Sequence, residues 1–165
     1  MIQNKFVFIV PVRNCGKTLK RSLLSAAYQT YDNGKIVVYD DSSSEEEWSQ
    51  EVEAFNEVKK FVDAQDEKMI IKKTGSHHIG TVENVLRMIY EQTEQDDIVC
   101  RLDGDDWLTE SDALFFINTI YNQRNIDAMW TAHRWSFTDA NISGRLPDCK
   151  SFLRKEKFFG EMFRT

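Results

Sequence analysis

The residues best equipped for chemistry lie in Arg101-Leu102-Asp103-Gly104-Asp105-Asp106-Trp107-Leu108, where three carboxylates fall within four positions. Like charges this close repel one another, and in a site of reduced dielectric the repulsion would raise their pKa values unless a cation sits among them. One reading is a site for a divalent metal with Asp103, Asp105 and Asp106 as ligands. Carboxylates are hard oxygen donors and no His-x-x-His spacing lies nearby, which favours magnesium or manganese over zinc. The other reading is an acidic, solvated loop between a strand and a helix, with one Asp as the helix cap.

The elements around this turn follow from hydrophobic periodicity. The turn closes a predicted strand over 96–102, with Ile98-Val99-Cys100 as its apolar run. Phe6-Val7-Phe8-Ile9-Val10 is continuously apolar, which suits a strand buried on both faces, and Pro11 is expected to end it. Lys35-Ile36-Val37-Val38-Tyr39 and Lys68-Met69-Ile70-Ile71-Lys72 read as two more strands. Between them, Leu19, Leu23, Leu24, Ala27 and Tyr28 recur at helical spacing to about Thr30. Trp48, Val52, Phe55, Val58 and Phe61 mark an amphipathic helix over 45–62, capped by Ser43 or Ser44. Val82, Val85, Leu86 and Ile89 mark a third helix, and Leu114, Ile117, Ile120 and Tyr121 a fourth. A fifth strand is predicted over 128–135, turns over 136–149 and a last helix over 152–163. Strand and helix alternate throughout, so the expected fold is an α/β three-layer sandwich with a mainly parallel central sheet.

Parallel sheets bind ligands at the carboxyl ends of their strands, where the strand order reverses. The polar clusters all fall there: Arg13-Asn14 after the first strand, Asp40-Asp41 after the second, His77-His78 after the third, and the Asp turn after the fourth.

Composition narrows the partners. With 165 residues the chain is long enough for one domain with a real core, and 41% hydrophobic residues is a globular composition. Lys plus Arg number 21 against 27 for Asp plus Glu, a formal charge of -6 that argues against a nucleic-acid-binding surface. Cys15, Cys100 and Cys149 are widely spaced and form neither a zinc pattern nor a disulfide framework, which points to a reducing, cytoplasmic setting. No apolar stretch approaches the roughly 20 residues of a membrane helix, and the N-terminus does not read as a signal peptide.

Three familiar ligand motifs fail. Gly16-Lys17-Thr18 ends like a P-loop, but Pro11 stands where the leading glycine is required. No G-x-G-x-x-G follows the first strand, which argues against a nicotinamide dinucleotide. Asp103-Gly104-Asp105-Asp106 opens like an EF-hand loop, yet Leu108 and Leu114 occupy the positions of its glycine and closing glutamate.

What remains is a phosphorylated ligand held through a carboxylate-bound metal. Ile9-Val10-Pro11-Val12-Arg13-Asn14, Leu24-Ser25 through Gln29-Thr30-Tyr31, Val37-Val38-Tyr39-Asp40-Asp41-Ser42-Ser43 and the Asp-x-Asp sequence Asp103-Gly104-Asp105-Asp106 come in the order and near the spacing of a known set. Together they closely resemble the family-2-type glycosyltransferases, which have the nucleotide-diphospho-sugar-binding GT-A fold. The resemblance covers residues 6–110. It implies a single Rossmann-like GT-A domain over 1–165 with its nucleotide-binding portion at 6–110. It also implies inverting transfer of a sugar from a nucleotide-diphospho-sugar, a UDP-sugar being the family's prior, to an acceptor hydroxyl on a glycan, lipid or protein.

The resemblance also implies residue roles. Pro11, Val12, Arg13 and Asp41 would line the base and ribose pocket, with Asp40 or Asp41 accepting from the uracil N3-H. Asp103, Gly104 and Asp105 would meet ribose and a Mn2+ or Mg2+ ion, with Asp106 able to replace either ligand. His78-Ile79-Gly80 stands where the family usually has Asn-x-Gly, so His78 either lines the pocket or lies on the surface. Asn84 matches the family's helix asparagine at shortened spacing, and Arg13 replaces a frequent aromatic.

An inverting enzyme needs a carboxylate base beyond the Asp turn. No acidic pair follows, which leaves Asp139, Asp148 and Glu156, with Asp148 favoured because it lies in a predicted loop. His133 and Trp135, on or near the predicted fifth strand, either reach the donor sugar or the metal or, as the favoured reading, are a strand His and a core Trp. The ending at Arg164-Thr165, after Phe158, Phe159 and Phe163, reads as a fragment lacking its acceptor-binding part or as an unusually small member. Those phenylalanines would then be covered by a second domain or by self-association. The rival to an enzyme is a non-catalytic nucleotide-sugar-binding module of a larger protein. A nucleotidylyltransferase shares the fold, but Val12-Arg13-Asn14-Cys15-Gly16 lacks its Gly-rich opening.

Overall fold

The structure is a computed structural model and describes residues 2–124 and 126–129. Met1–Asn125 form one compact unit. Its elements run β1 (Phe6–Val12), α1 (Leu19–Ala27), β2 (Gly34–Asp40), α2 (Glu45–Phe61), β3 (Met69–Lys73), α3 (Thr81–Gln92), β4 (Ile98–Arg101) and α4 (Ala113–Gln123). The four strands form a parallel sheet of order β3-β2-β1-β4. The chain winds outward from β1 through β2 to β3, then crosses to the other side of β1. The loops after β1 and β4 therefore diverge at a topological switch point.

The central strand β1 is buried along its whole length. Phe6, Phe8, Val10 and Val12 share one core with Leu19 and Leu23 of α1, Phe55 and Val58 of α2, and Leu114 of α4. Val7 and Ile9 point the other way and pack with Val37, Tyr39 and Met88 of α3. This is the period of two that a strand between two helical layers requires.

Contrary to expectation, Pro11 does not end β1, which continues to Val12 with Pro11 in register with Tyr39. The reason lies in the direction of its missing N–H. Val12 O accepts from Asp41 N–H on the β2 side, whereas Ile9 O accepts from Leu102 N–H on the β4 side. Alternation puts the nitrogen of Pro11 on the β4 side, beyond Arg101 where β4 has ended, so the ladder loses no donor.

Ser44 caps α2, its hydroxyl accepting from Glu47 N–H at 3.2 Å. Glu45, Glu46 and Glu47 in the first turn and Lys59 and Lys60 in the last complement the helix dipole. The buried stripe of α2 is Glu51, Ala54, Phe55 and Val58. Phe61, expected in that stripe, is instead exposed and stacks on Tyr28 with ring centroids 6.2 Å apart, while Val62 packs on the core. Among the described residues no helix is long and apolar enough to cross a membrane. Most of the predicted fifth strand, the turns over 136–149 and the last helix lie outside the described residues.

Candidate functional site

The loops after β1, β2 and β4 are bound to one another at the carboxyl edge of the sheet. Asn14 N–H donates to Ser43 Oγ at 2.7 Å, and Ser44 N–H donates to Asn14 Oδ1 at 3.2 Å. Asn14 (φ 54) and Ser42 (φ 63) both adopt the left-handed conformation, which lets each loop double back just after its strand.

The loop after β4 docks on the end of β1 at Gly104. A β-carbon there would stand 2.6 Å from Val12 Cγ1 and 3.3 Å from Cys15 Sγ, so only glycine admits this approach. Thr18 Oγ1 donates to Gly104 O at 3.1 Å, and Ser22 Oγ donates to Asp103 O at 3.2 Å. Asp106 N–H closes the turn onto Asp103 O at 3.0 Å. The backbone of the carboxylate turn is thus fixed from two sides by α1 and β1. Trp107 continues this anchorage, with the Arg21 guanidinium 3.6 Å above its ring.

The side chains of the turn differ in their surroundings. Asp103 is half-exposed and meets Arg101: Nε donates to Oδ1 at 3.1 Å and Nη2 to Oδ2 at 3.3 Å. Asp105 and Asp106 are exposed. Among the described residues, no three His, Cys, Asp or Glu side chains converge in a metal-holding group. The donor chemistry still fits a hard dication. Magnesium-type ions are commonly held by one or two carboxylates together with substrate phosphates and water, without an all-protein cage.

Asp40 and Asp41, expected at the base and ribose, are both buried. Asp40 accepts from Ser43 N–H at 3.1 Å and from the Ser43 hydroxyl. Asp41 Oδ1 accepts from Ile79 N–H at 2.7 Å and Oδ2 from Gly80 N–H at 2.9 Å, while His78 Nδ1 lies 2.7 Å from Oδ2. These carboxylates therefore shape the loops. Asp41 pins the segment leading into α3, where Gly80 takes φ 94. Pro11 and Val12 are likewise buried, whereas Arg13 is exposed and the His78 side chain is 46% exposed. Asn84 is buried and its Nδ2 donates to Tyr39 O at 3.0 Å. Asp139, Asp148, Glu156, His133, Trp135 and the terminal phenylalanines lie outside the described residues.

One buried acid was not anticipated. Glu51 of α2 accepts from Cys15 N–H at 2.9 Å through Oε1, and its Oε2 has no hydrogen-bond partner among the described residues. Glu47, one turn earlier, accepts from Gly16 N–H at 3.0 Å. Ser43 Oγ lies 3.2 Å from Glu51 Oε1, so Asp40 and Glu51 share one hydroxyl proton. Burial, opposed by the Cys15 N–H and reinforced by the charge of Asp40, pushes the Glu51 carboxyl up to about 7. Its position 51, with 54, 55 and 58, follows the i, i+3, i+4, i+7 pattern of the apolar stripe, and that spacing was the available signal.

A folded chain that holds this proton to about pH 7, against 4.5 for the ordinary side chain, has one more bound proton than the unfolded chain between those values. The contribution is full below pH 4.5 and is lost as pH rises through 7. Glu51→Gln is expected to remove this fall, which amounts to about 2 kcal/mol in the wild type between roughly pH 5 and 8. Urea unfolding across that range measures both slopes, and parallel profiles for the two proteins would count against a raised Glu51.

An all-parallel four-stranded sheet with a backbone-anchored carboxylate turn at its switch point is the α/β architecture of the GT-A type. The chain belongs to glycosyl transferase family 2, whose sequence profile matches residues 7–162. Among solved structures it is similar to S. aureus TarS 1–349, with 20% identity and a TM-score of 0.57 over 72% of this chain and 32% of that one. The same TarS segment in complex with UDP matches equally, with 20% identity and a TM-score of 0.57. A further S. aureus TarS structure has 22% identity and a TM-score of 0.55, over 72% of this chain and 20% of that one. At these identities the likeness is one of fold. The chain spans about a third or less of these TarS chains. No curated protein matches the sequence.

Proposed function

We propose that this chain is the donor-binding part of an inverting, metal-dependent glycosyltransferase that moves a sugar from a nucleotide-diphospho-sugar to an acceptor hydroxyl. The observation that carries this reading is the carboxylate turn, locked by Gly104 against β1 at the switch point. Membership of glycosyl transferase family 2 supports the reaction class, and the UDP complex of the similar TarS structure favours uridine as the nucleoside.

In this reading Asp103 and Asp105 hold a Mn2+ or Mg2+ ion, with Asp106 beside them. When bound, such a cation neutralises charge that builds on the departing nucleoside diphosphate. The chain's own contribution is placement. Gly104, Ser22 and Thr18 fix the backbone of the turn, so its carboxylates project from a preorganised base. Arg13, exposed after β1, is available to a phosphate or the base. Asp41 holds the segment carrying His78 in place beside the nucleoside. Asp148 is the proposed base. The setting is cytoplasmic, in keeping with the free thiols of Cys15 and Cys100.

Thermal unfolding with UDP, GDP, dTDP or CMP, each with manganese, magnesium or chelator, tests the donor class. A ligand at about 100 times its Kd adds roughly 2.7 kcal/mol, which raises Tm by about 5–10 °C in a domain near this size. The expected result is a shift with UDP that requires the metal. No shift with any pair would count against the reading.

A further inference from the structure

Arg101 is the last residue of β4, in register with Ile9, and its guanidinium faces both oxygens of Asp103. The closest approach is 3.0 Å, from Nη2 to Oδ1, with side-chain exposures of 56% for Arg101 and 43% for Asp103. The backbone of Asp103 has no freedom to turn away, because Ser22 Oγ and Asp106 N–H both bind its carbonyl and Gly104 is wedged against Val12. Exchange of partners must therefore happen in the side chains. A guanidinium at this distance occupies the lone pairs of Asp103 that a hard cation would use.

We propose that Arg101 is a built-in competitor of the divalent cation: it holds Asp103 when no cation is present and releases it when the cation binds. Arg101 thus sets the cation concentration at which the site loads. The inference rests on the metal-dependent reading of the Asp turn and adds the residue that regulates it. The pair is open to solvent, so competition is modest and reversible, as a loading threshold requires.

The test is a Mn2+ titration of the full chain, with free Mn2+ followed by its paramagnetic resonance, in the wild type, Arg101→Gln, Asp103→Asn and the double variant. Arg101→Gln should bind Mn2+ roughly threefold to fivefold more tightly than the wild type, the range an exposed ion pair supports. On the Asp103→Asn background the same change should give no gain. Equal or weaker binding by Arg101→Gln would overturn the inference, as would a gain that persists without the Asp103 carboxylate. Thermal unfolding confirms that each variant is folded, which the exposure of both side chains favours. Failure of every variant to bind Mn2+, with UDP or without, would remove the metal-dependent reading and the inference together, whereas wild-type binding with no Arg101 effect would remove the inference alone.

Discussion

Asp41→Ala is expected to lower the unfolding free energy by about 2–4 kcal/mol, because it leaves two part-buried backbone donors without an acceptor. The carboxylate is 3% exposed as part of its residue, and it receives Ile79 N–H at 2.7 Å and Gly80 N–H at 2.9 Å. Removing it strips both backbone groups of their partner while the strand bond from Asp41 N–H to Val12 O remains. Each orphaned donor costs about 1–3 kcal/mol, less where the loop opens enough to admit water. His78→Ala removes the third contact of the same carboxylate but should cost under about 1 kcal/mol, since that side chain is half-exposed. Urea unfolding of the two variants, with hydrogen exchange at Ile79 and Gly80, separates the cases. Equal midpoints for Asp41→Ala and the wild type would show that the loop before α3 does not depend on this acid.

The two central strands were legible because they are buried on both faces. Phe6 to Val10 and Ile36 to Tyr39 are continuous apolar runs with no other low-energy destination, and the four polar clusters after the strands fall at one edge of the observed sheet. The extent of β1 was not legible at Pro11, since a missing N–H matters only when the neighbouring strand is long enough to need it, and β4 stops at Arg101. Glu51 was hidden by its own charge: an acid in an apolar stripe reads as surface until the backbone N–H of Cys15, distant in sequence, supplies a reason to bury it. Phe61 erred in the opposite direction, because α2 ends there and Val62 takes its place against the core.

Within the site, sequence spacing located the carboxylate turn but not its partners. That Gly104 is required follows from Val12 and Cys15, and that Asp103 meets Arg101 follows from how the turn is bound to α1. Asp40 and Asp41 carry the same charge as the Asp turn and stand at a neighbouring strand end. Burial separates them, since both bind the chain's own loops while Asp105 stays in solvent.

If a nucleoside diphosphate binds here through a divalent cation held by this turn, as proposed, calorimetric titration of UDP in the presence of Mn2+ reads it without an acceptor. Asp105 is the residue to change, because it is exposed and no hydrogen bond or ion pair holds it among the described residues. Asp105→Asn should therefore alter stability by no more than about 0.5 kcal/mol. It replaces a charged oxygen donor by a neutral amide, and a lost charge-assisted contact of about 1.5–3 kcal/mol weakens binding by roughly tenfold to a hundredfold. Single-site UDP binding by the wild type is expected to disappear with chelator and to be lowered to that degree in Asp105→Asn at unchanged Tm. UDP binding of equal strength in chelator, or in the variant, would contradict the proposal.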